Sequence, residues 1–105
     1  MGIFARFRRN IGRGVEQYRA TAGAVLLDVR TPQEYRNGHI HGSVNVPLQS
    51  MECVAAVVGD RETPLYVCCC SGARSRVAAR ILRRMGYARV TDIGGISAYS
   101  GKIER

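Results

Sequence analysis

Three consecutive cysteines, a Ser-Gly turn and an arginine make up Cys68-Cys69-Cys70-Ser71-Gly72-Ala73-Arg74-Ser75, the densest nucleophile chemistry in this chain of 105 residues. A thiolate is a strong nucleophile, and it is stabilised where backbone N–H groups and the positive end of a helix converge. The surroundings predict such a place. The apolar run Pro64-Leu65-Tyr66-Val67 reads as a buried strand that ends in the cysteines. Ser71-Gly72 reads as a turn, and a helical pattern running through Arg76-Val77-Ala78-Ala79-Arg80-Ile81-Leu82 begins at Arg74-Ser75. The loop is expected to cradle a nucleophilic sulfur and small anions brought to it.

Elements that place this loop alternate along the chain. Ala24 to Val29 is expected as a buried strand leading into Asp28 and Arg30. Thr31-Pro32-Gln33-Glu34 announces a short helix, with Thr31 as cap, Pro32 in the first position and Glu34 closing a capping box; Gly38 ends it. Val44-Asn45-Val46 reads as a short strand, Met51 to Val58 as a helix, and Ala88 to Ile93 as a strand before Gly94-Gly95. The long helix spans about Arg74 to Met85, with Gly86 as its cap, and a last short helix lies near Ile96 to Ser100. Strands separated by helices predict an α/β fold, a small mainly parallel sheet with helices on both faces. Sites in such sheets form beyond the carboxyl ends of strands, which brings Asp28–Arg30 and Cys68–Cys70 together.

Composition narrows the function classes. A chain of this length is one domain, and 46% apolar with 23% charged residues describes an ordinary globular protein. No apolar run reaches transmembrane length and no export signal is visible. Four cysteines crowded as a triplet plus Cys53 do not form a disulfide framework, so reduced thiols in a cytoplasmic protein are expected. His39 and His41 lie two apart and far from the triplet, which gives no zinc spacing, and no cofactor or metal is expected. The net charge of +8 comes almost wholly from arginine, since Lys102 is the only lysine. It favours anionic partners: a small oxyanion, or an acidic protein docking on the face that carries Arg76, Arg80, Arg83 and Arg84. That face is expected opposite Val77, Ile81, Leu82 and Met85. Neither nucleic acid nor integral membrane association is expected. Residues 1–10 form a basic segment preceding the domain at 11–105; Ile3, Phe4, Phe7 and Ile11 would share a narrow helical stripe.

Leu26-Leu27-Asp28-Val29-Arg30, Glu34-Tyr35, Gly38-His39-Ile40, Gly42-Ser43-Val44-Asn45-Val46-Pro47, the Cys-x-x-Gly-x-Arg-Ser loop and Gly94-Gly95 follow one another in an order and spacing that resembles the single-domain rhodanese family of sulfurtransferases. The resemblance runs from about Ile11 to Gly101. It departs at His41, where the family commonly has proline, and at Tyr99, where tryptophan is frequent. Counting back from Arg74 and Ser75, the resemblance implies Cys69 as the nucleophile, with Cys70, Ser71, Gly72, Ala73 and Arg74 as its cradle. It implies a two-step exchange: Cys69 takes the outer sulfur of a donor such as thiosulfate as a persulfide, then yields it to cyanide, a thiol or a protein. Arg74 would brace the loop or bind the donor oxyanion, and Ser75 would cap the helix or hydrogen-bond the persulfide. Arg30 is a candidate for the donor anion or for a carboxylate partner, and Asp28 and His39 are expected to fix loops. Cys68 is expected to point into the core, Cys70 to be a second thiol or a tolerated small residue, and Cys53 to lie in a helix core.

Two other classes stay open on the sequence. Cys68 to Arg74 also satisfies Cys-x5-Arg, the spacing of cysteine phosphatases, although four residues between Cys69 and Arg74 suit a sulfur atom better than a phosphate. A non-catalytic binding module using the arginine face is the other.

Overall fold

Leu26-Leu27 and Tyr66-Val67-Cys68-Cys69 explain the architecture, because both runs are apolar on each alternate position and need cover on two sides. In the computed structural model, which describes residues 10–105, they form the middle of a four-stranded parallel sheet. The strands are β1 (Val25–Asp28), β3 (Val44–Asn45), β4 (Leu65–Cys69) and β5 (Val90–Gly95), in the order β3-β1-β4-β5. Asp28 lies opposite both Asn45 and Cys68, so the carboxyl ends of three strands share one edge of the molecule. Of the expected stripe, Ile3, Phe4 and Phe7 fall outside the described residues, and Ile11 is buried.

Each face of the sheet has its own core. On one, Leu27, Val29, Val67 and Cys69 pack with Met51, Val54, Leu82 and Tyr87, beneath α4 (Ala73–Arg84), a 3-10 segment (Leu48–Cys53) and α3 (Val54–Val57). On the other, Leu26, Tyr66, Cys68 and Ile93 pack with Ile11 and Val15 of α1 (Ile11–Ala20) and with Ile40. Complete burial of a leucine such as Leu82 stabilises the fold by about 1.5–3 kcal/mol.

The capping box appears as read: Thr31 Oγ1 accepts from the Glu34 N–H, and Glu34 accepts from the Thr31 N–H, at the start of α2 (Pro32–Arg36). The chain then forms β2 (His39–Ile40), paired antiparallel with β6 (Ile103–Glu104) outside the main sheet. Several expectations shift. Helix α1 has a clear start at Asn10, whose side chain accepts from the Arg13 N–H. It is absent from the sequence reading because Gly12 and Gly14 interrupt the Ile11, Val15, Tyr18 spacing. Cys53 is exposed rather than helix core, since its turn is a 3-10 segment that buries Met51 instead, and the following α3 buries Val54. Val77 is 40% exposed; the buried face of α4 is Ser75, Ala78, Ala79 and Leu82.

Candidate active site

The nucleophile loop connects β4 to α4, and local hydrogen bonding folds it around one sulfur. Strand β4 runs through Cys69, whose side chain falls on the α4 side of the sheet, while Cys68 falls on the other. Gly72 takes φ +104, the left-handed region a side chain disfavours. The turn aims its N–H back at Cys69, and Gly72 N donates to Cys69 Sγ at 3.0 Å. Helix α4 starts at the next residue, Ala73, so its N-terminus lies directly after this turn. A backbone donor and a helix N-terminus, groups that attract small anions, are thus held beside the sulfur. The Cys69 residue is 0% exposed. Cys70 is half-buried, and Ser71 and Ala73 form the exposed rim.

Cys68 cannot play the same part. It is fully enclosed among Leu26, Ile40, Tyr66 and Ile93. Burial, reinforced by the negative charge of Asp28, pushes its thiol well above the ordinary range. The Cys-x5-Arg reading needs Cys68 at the loop mouth, and the structure puts it in the core.

Arg74 forms a bidentate pair with Glu34, at 2.7 and 2.9 Å. It therefore ties the loop to α2, while Glu34 keeps its capping contact to Thr31 at 2.8 Å. The Arg74 hydrogen bonds, working against partial burial and joined by the Thr31 contacts, bring the Glu34 carboxyl down to about 2 from its ordinary 4.5. The same pair raises Arg74 above its ordinary value. A carboxyl lowered on folding stabilises the fold above its unfolded pKa and loses that contribution as pH falls through the folded one. The stability gap between the wild type and Glu34→Gln is thus expected to be constant above about pH 5 and to close as pH falls from about 4.5 towards 2. Urea titrations across that range measure it, and a gap undiminished near pH 2 would contradict the pairing.

Ser75 is fully buried, with its Oγ 2.7 Å from Asp92 Oδ1 and 3.1 Å from the Gly72 carbonyl. Asp92 Oδ1 also accepts from the Gly94 N–H at 3.0 Å, which joins the first turn of α4 to the end of β5. The back of the loop rests on that same strand end. The pairing of β4 with β5 shifts register after Val67 and sets Cys69 opposite Gly95. This is why β5 runs through Gly94-Gly95 rather than stopping at Ile93. The Cys70 carbonyl accepts from the Ser97 N–H at 3.0 Å. A methyl group placed on Gly95 would lie 2.2 Å from that carbonyl oxygen, so only glycine fits. Gly95→Ala is expected to displace the loop, costing about 1–3 kcal/mol of stability; an unchanged melting temperature would show that the contact is not needed.

Arg30 stands at the same sheet edge, but its Nε and Nη2 are engaged. It contacts both Asp28 oxygens between 2.7 and 3.1 Å and donates to the Gly38 carbonyl at 2.7 Å. Burial works against its charge, yet the Asp28 hydrogen bonds and charge outweigh it and hold Arg30 above its ordinary value. Of the two roles open for Arg30, the structure displays the carboxylate partnership. His39 stacks on Tyr35 with ring centroids 3.9 Å apart and contacts the Tyr35 carbonyl, a structural turn contact.

This parallel sheet, with its cysteine loop entering a helix, has relatives. Comparison with known protein families matches the Rhodanese-like domain over residues 13–102. The chain belongs to the rhodanese-like family. Thiosulfate sulfurtransferase PspE of Escherichia coli is 38% identical over 71 residues, covering 67% of this chain and 68% of that protein. The adenylyltransferase and sulfurtransferase uba4 of Ogataea parapolymorpha is 34% identical over 91 residues, but this chain spans only 23% of its length. A solved structure described as rhodanese with anions from E. coli superposes with a TM-score of 0.73 at 32% identity, over 78% of this chain and 98% of that one. The rhodanese fold explains the shared sheet edge. Three supports of this rhodanese loop escaped the sequence reading: Glu34 as the partner of Arg74, Asp92 as the partner of Ser75, and Gly95 with Ser97 as the back wall. The capping role of Glu34 is local and gives no hint of a partner 40 positions later.

Proposed function

We propose that this chain is a sulfurtransferase that carries sulfane sulfur as a persulfide on Cys69. The observation that carries this reading is the Gly72 N–H donating to Cys69 Sγ at the N-terminus of α4. In the first step the Cys69 thiolate attacks the outer sulfur of a donor such as thiosulfate. The donor's S–S bond breaks and sulfite leaves with that bond's electron pair. In the second step an acceptor such as cyanide or a thiolate attacks the terminal sulfur and Cys69 leaves as thiolate. The exchange needs no external oxidant. It also needs no general base once the thiolate exists, and no residue beside Cys69 is required to move a proton.

The loop serves both charged states of the cysteine. A thiolate and a persulfide are each anionic, and the Gly72 N–H at the helix N-terminus stabilises either. Cys69 is buried, while Ser71 and Ala73 of the same loop are exposed. Arg74 and Ser75 act here as braces through Glu34 and Asp92, keeping the helix end in place.

Steady-state assays with two substrate classes test the reading. Thiocyanate is expected to form from thiosulfate and cyanide, and no phosphate from aryl phosphates. Phosphate release without thiocyanate would overturn it.

A further inference from the structure

Helix α4 leaves the site carrying a row of charge that meets no ion-pair partner among the described residues. Arg76, Arg80 and Arg84 recur at every fourth position and therefore lie within about 80° of one another, along about 12 Å of helix. All three are exposed. Arg30 pairs with Asp28 and Arg74 with Glu34, and His39 and His41 contact Glu104; none of these contacts reaches the row. Arg83 beside it donates to the Val90 carbonyl. Like charges four residues apart destabilise a helix. The helix dipole offsets this at Arg84 in the last turn but opposes Arg76 in the first. Val77, exposed against expectation, adds an apolar contact along the row's edge. The row begins one turn from the rim residue Ala73 and so connects directly to the cysteine loop.

We propose that the face formed by Arg76, Val77, Arg80 and Arg84 docks an acidic polypeptide segment that presents the thiol accepting sulfur from Cys69. This rests on the persulfide reading and specifies its partner. Position favours a protein over nucleic acid. The row ends at a site whose product is consumed by thiols, and a docked acidic segment would bring its own thiol to the rim. In the transfer, the acceptor thiolate attacks the terminal sulfur of the Cys69 persulfide. The S–S bond breaks, its electron pair returns to Cys69, and the acceptor leaves as the persulfide.

Two synthetic peptides test it, one glutamate-rich and one lysine-rich, each with a single cysteine as acceptor. Thiosulfate is the donor and cyanide the small-acceptor control. At about 20 mM salt the glutamate peptide is expected to exceed the lysine peptide in kcat/KM by tenfold or more, and the preference to shrink towards unity at about 0.5 M. Arg80→Glu/Arg84→Glu is expected to abolish or invert the preference, with turnover of cyanide unchanged. Arg80→Gln/Arg84→Gln, which removes charge without reversing it at the helix end, is expected to give an intermediate ratio. A ratio near one in wild type, or one unaltered in both variants, would overturn the docking proposal. So would a ratio near one accompanied by tight binding of duplex DNA, which would assign the face to nucleic acid. Fluorescence anisotropy with serine in place of the peptide cysteine reads docking apart from chemistry. Docking seen there without any thiocyanate production would refute the persulfide reading instead.

Discussion

Cys69→Ser is expected to lower sulfur transfer from thiosulfate to cyanide by roughly a thousandfold or more, while the melting temperature stays within about 5 °C of wild type. Both steps of the proposed exchange pass through this sulfur, and a serine hydroxyl forms no persulfide under these conditions. The fold has less at stake. A hydroxyl at this position inherits the Gly72 N–H, so the new oxygen is not left without a hydrogen bond. Cys68→Ser should behave in the opposite sense. Its hydroxyl would sit among Leu26, Ile40, Tyr66 and Ile93, so stability falls while turnover per folded molecule survives. Steady-state rates with parallel thermal melts separate the two. Retained activity in Cys69→Ser together with loss in Cys68→Ser would move the nucleophile to the other face of the sheet.

Arg30→Ala is expected to destabilise the domain by about 3–5 kcal/mol, which for a chain of this size lowers the melting temperature by roughly 12 °C or more. Asp28 is completely buried, and the Arg30 guanidinium answers both of its oxygens. Truncating Arg30 leaves a buried carboxylate with the Arg30 backbone N–H, at 3.1 Å, as its remaining hydrogen-bond donor. Asp28→Asn/Arg30→Leu, which removes both charges, should therefore cost less than Arg30→Ala alone. The double variant also isolates the role of Arg30 in catalysis. If Arg30 were a donor-binding group, folded protein carrying the double change would show a raised KM for thiosulfate with kcat preserved. The pairing with Asp28 and Gly38 instead predicts an unchanged KM, and denaturant titration with kinetics on the refolded variant decides between them.

What the sequence disclosed was local. Thr31-Pro32-Gln33-Glu34 fixes the start of α2 through contacts within four residues, and the strand into Cys69, the turn at Gly72 and the helix behind it follow from neighbouring residues alone. Apolar alternation in Leu26-Leu27 and Tyr66-Val67 requires cover on both faces, which is enough to imply the parallel sheet. The nucleophile's register followed from the spacing to Arg74 and Ser75 only once the family resemblance supplied the count. Long-range partnerships were not legible. Glu34 meets Arg74 across 40 residues and Ser75 meets Asp92 across 17, and neither pair has a local signature. Pairing of β2 with β6 depends on His39 opposing Glu104 at the end of the described chain, in strands too short to show alternation. Helical spacing sets Val77 opposite the arginine face, and a free cysteine such as Cys53 is expected in a helix core. Tertiary contact decided otherwise, because Ala78, Ala79 and Leu82 turn α4 towards the sheet, and Met51 and Val54 fill the space beside Cys53.

Intact-mass spectrometry on protein exposed to thiosulfate and then freed of it tests the central claim most directly. Wild type is expected to gain one sulfur atom, removed by cyanide or dithiothreitol and mapped by peptide analysis to Cys69; Cys69→Ser is expected to gain none. A reducible sulfur that persists in Cys69→Ser, or a wild type that takes up no sulfur from thiosulfate, would contradict the account.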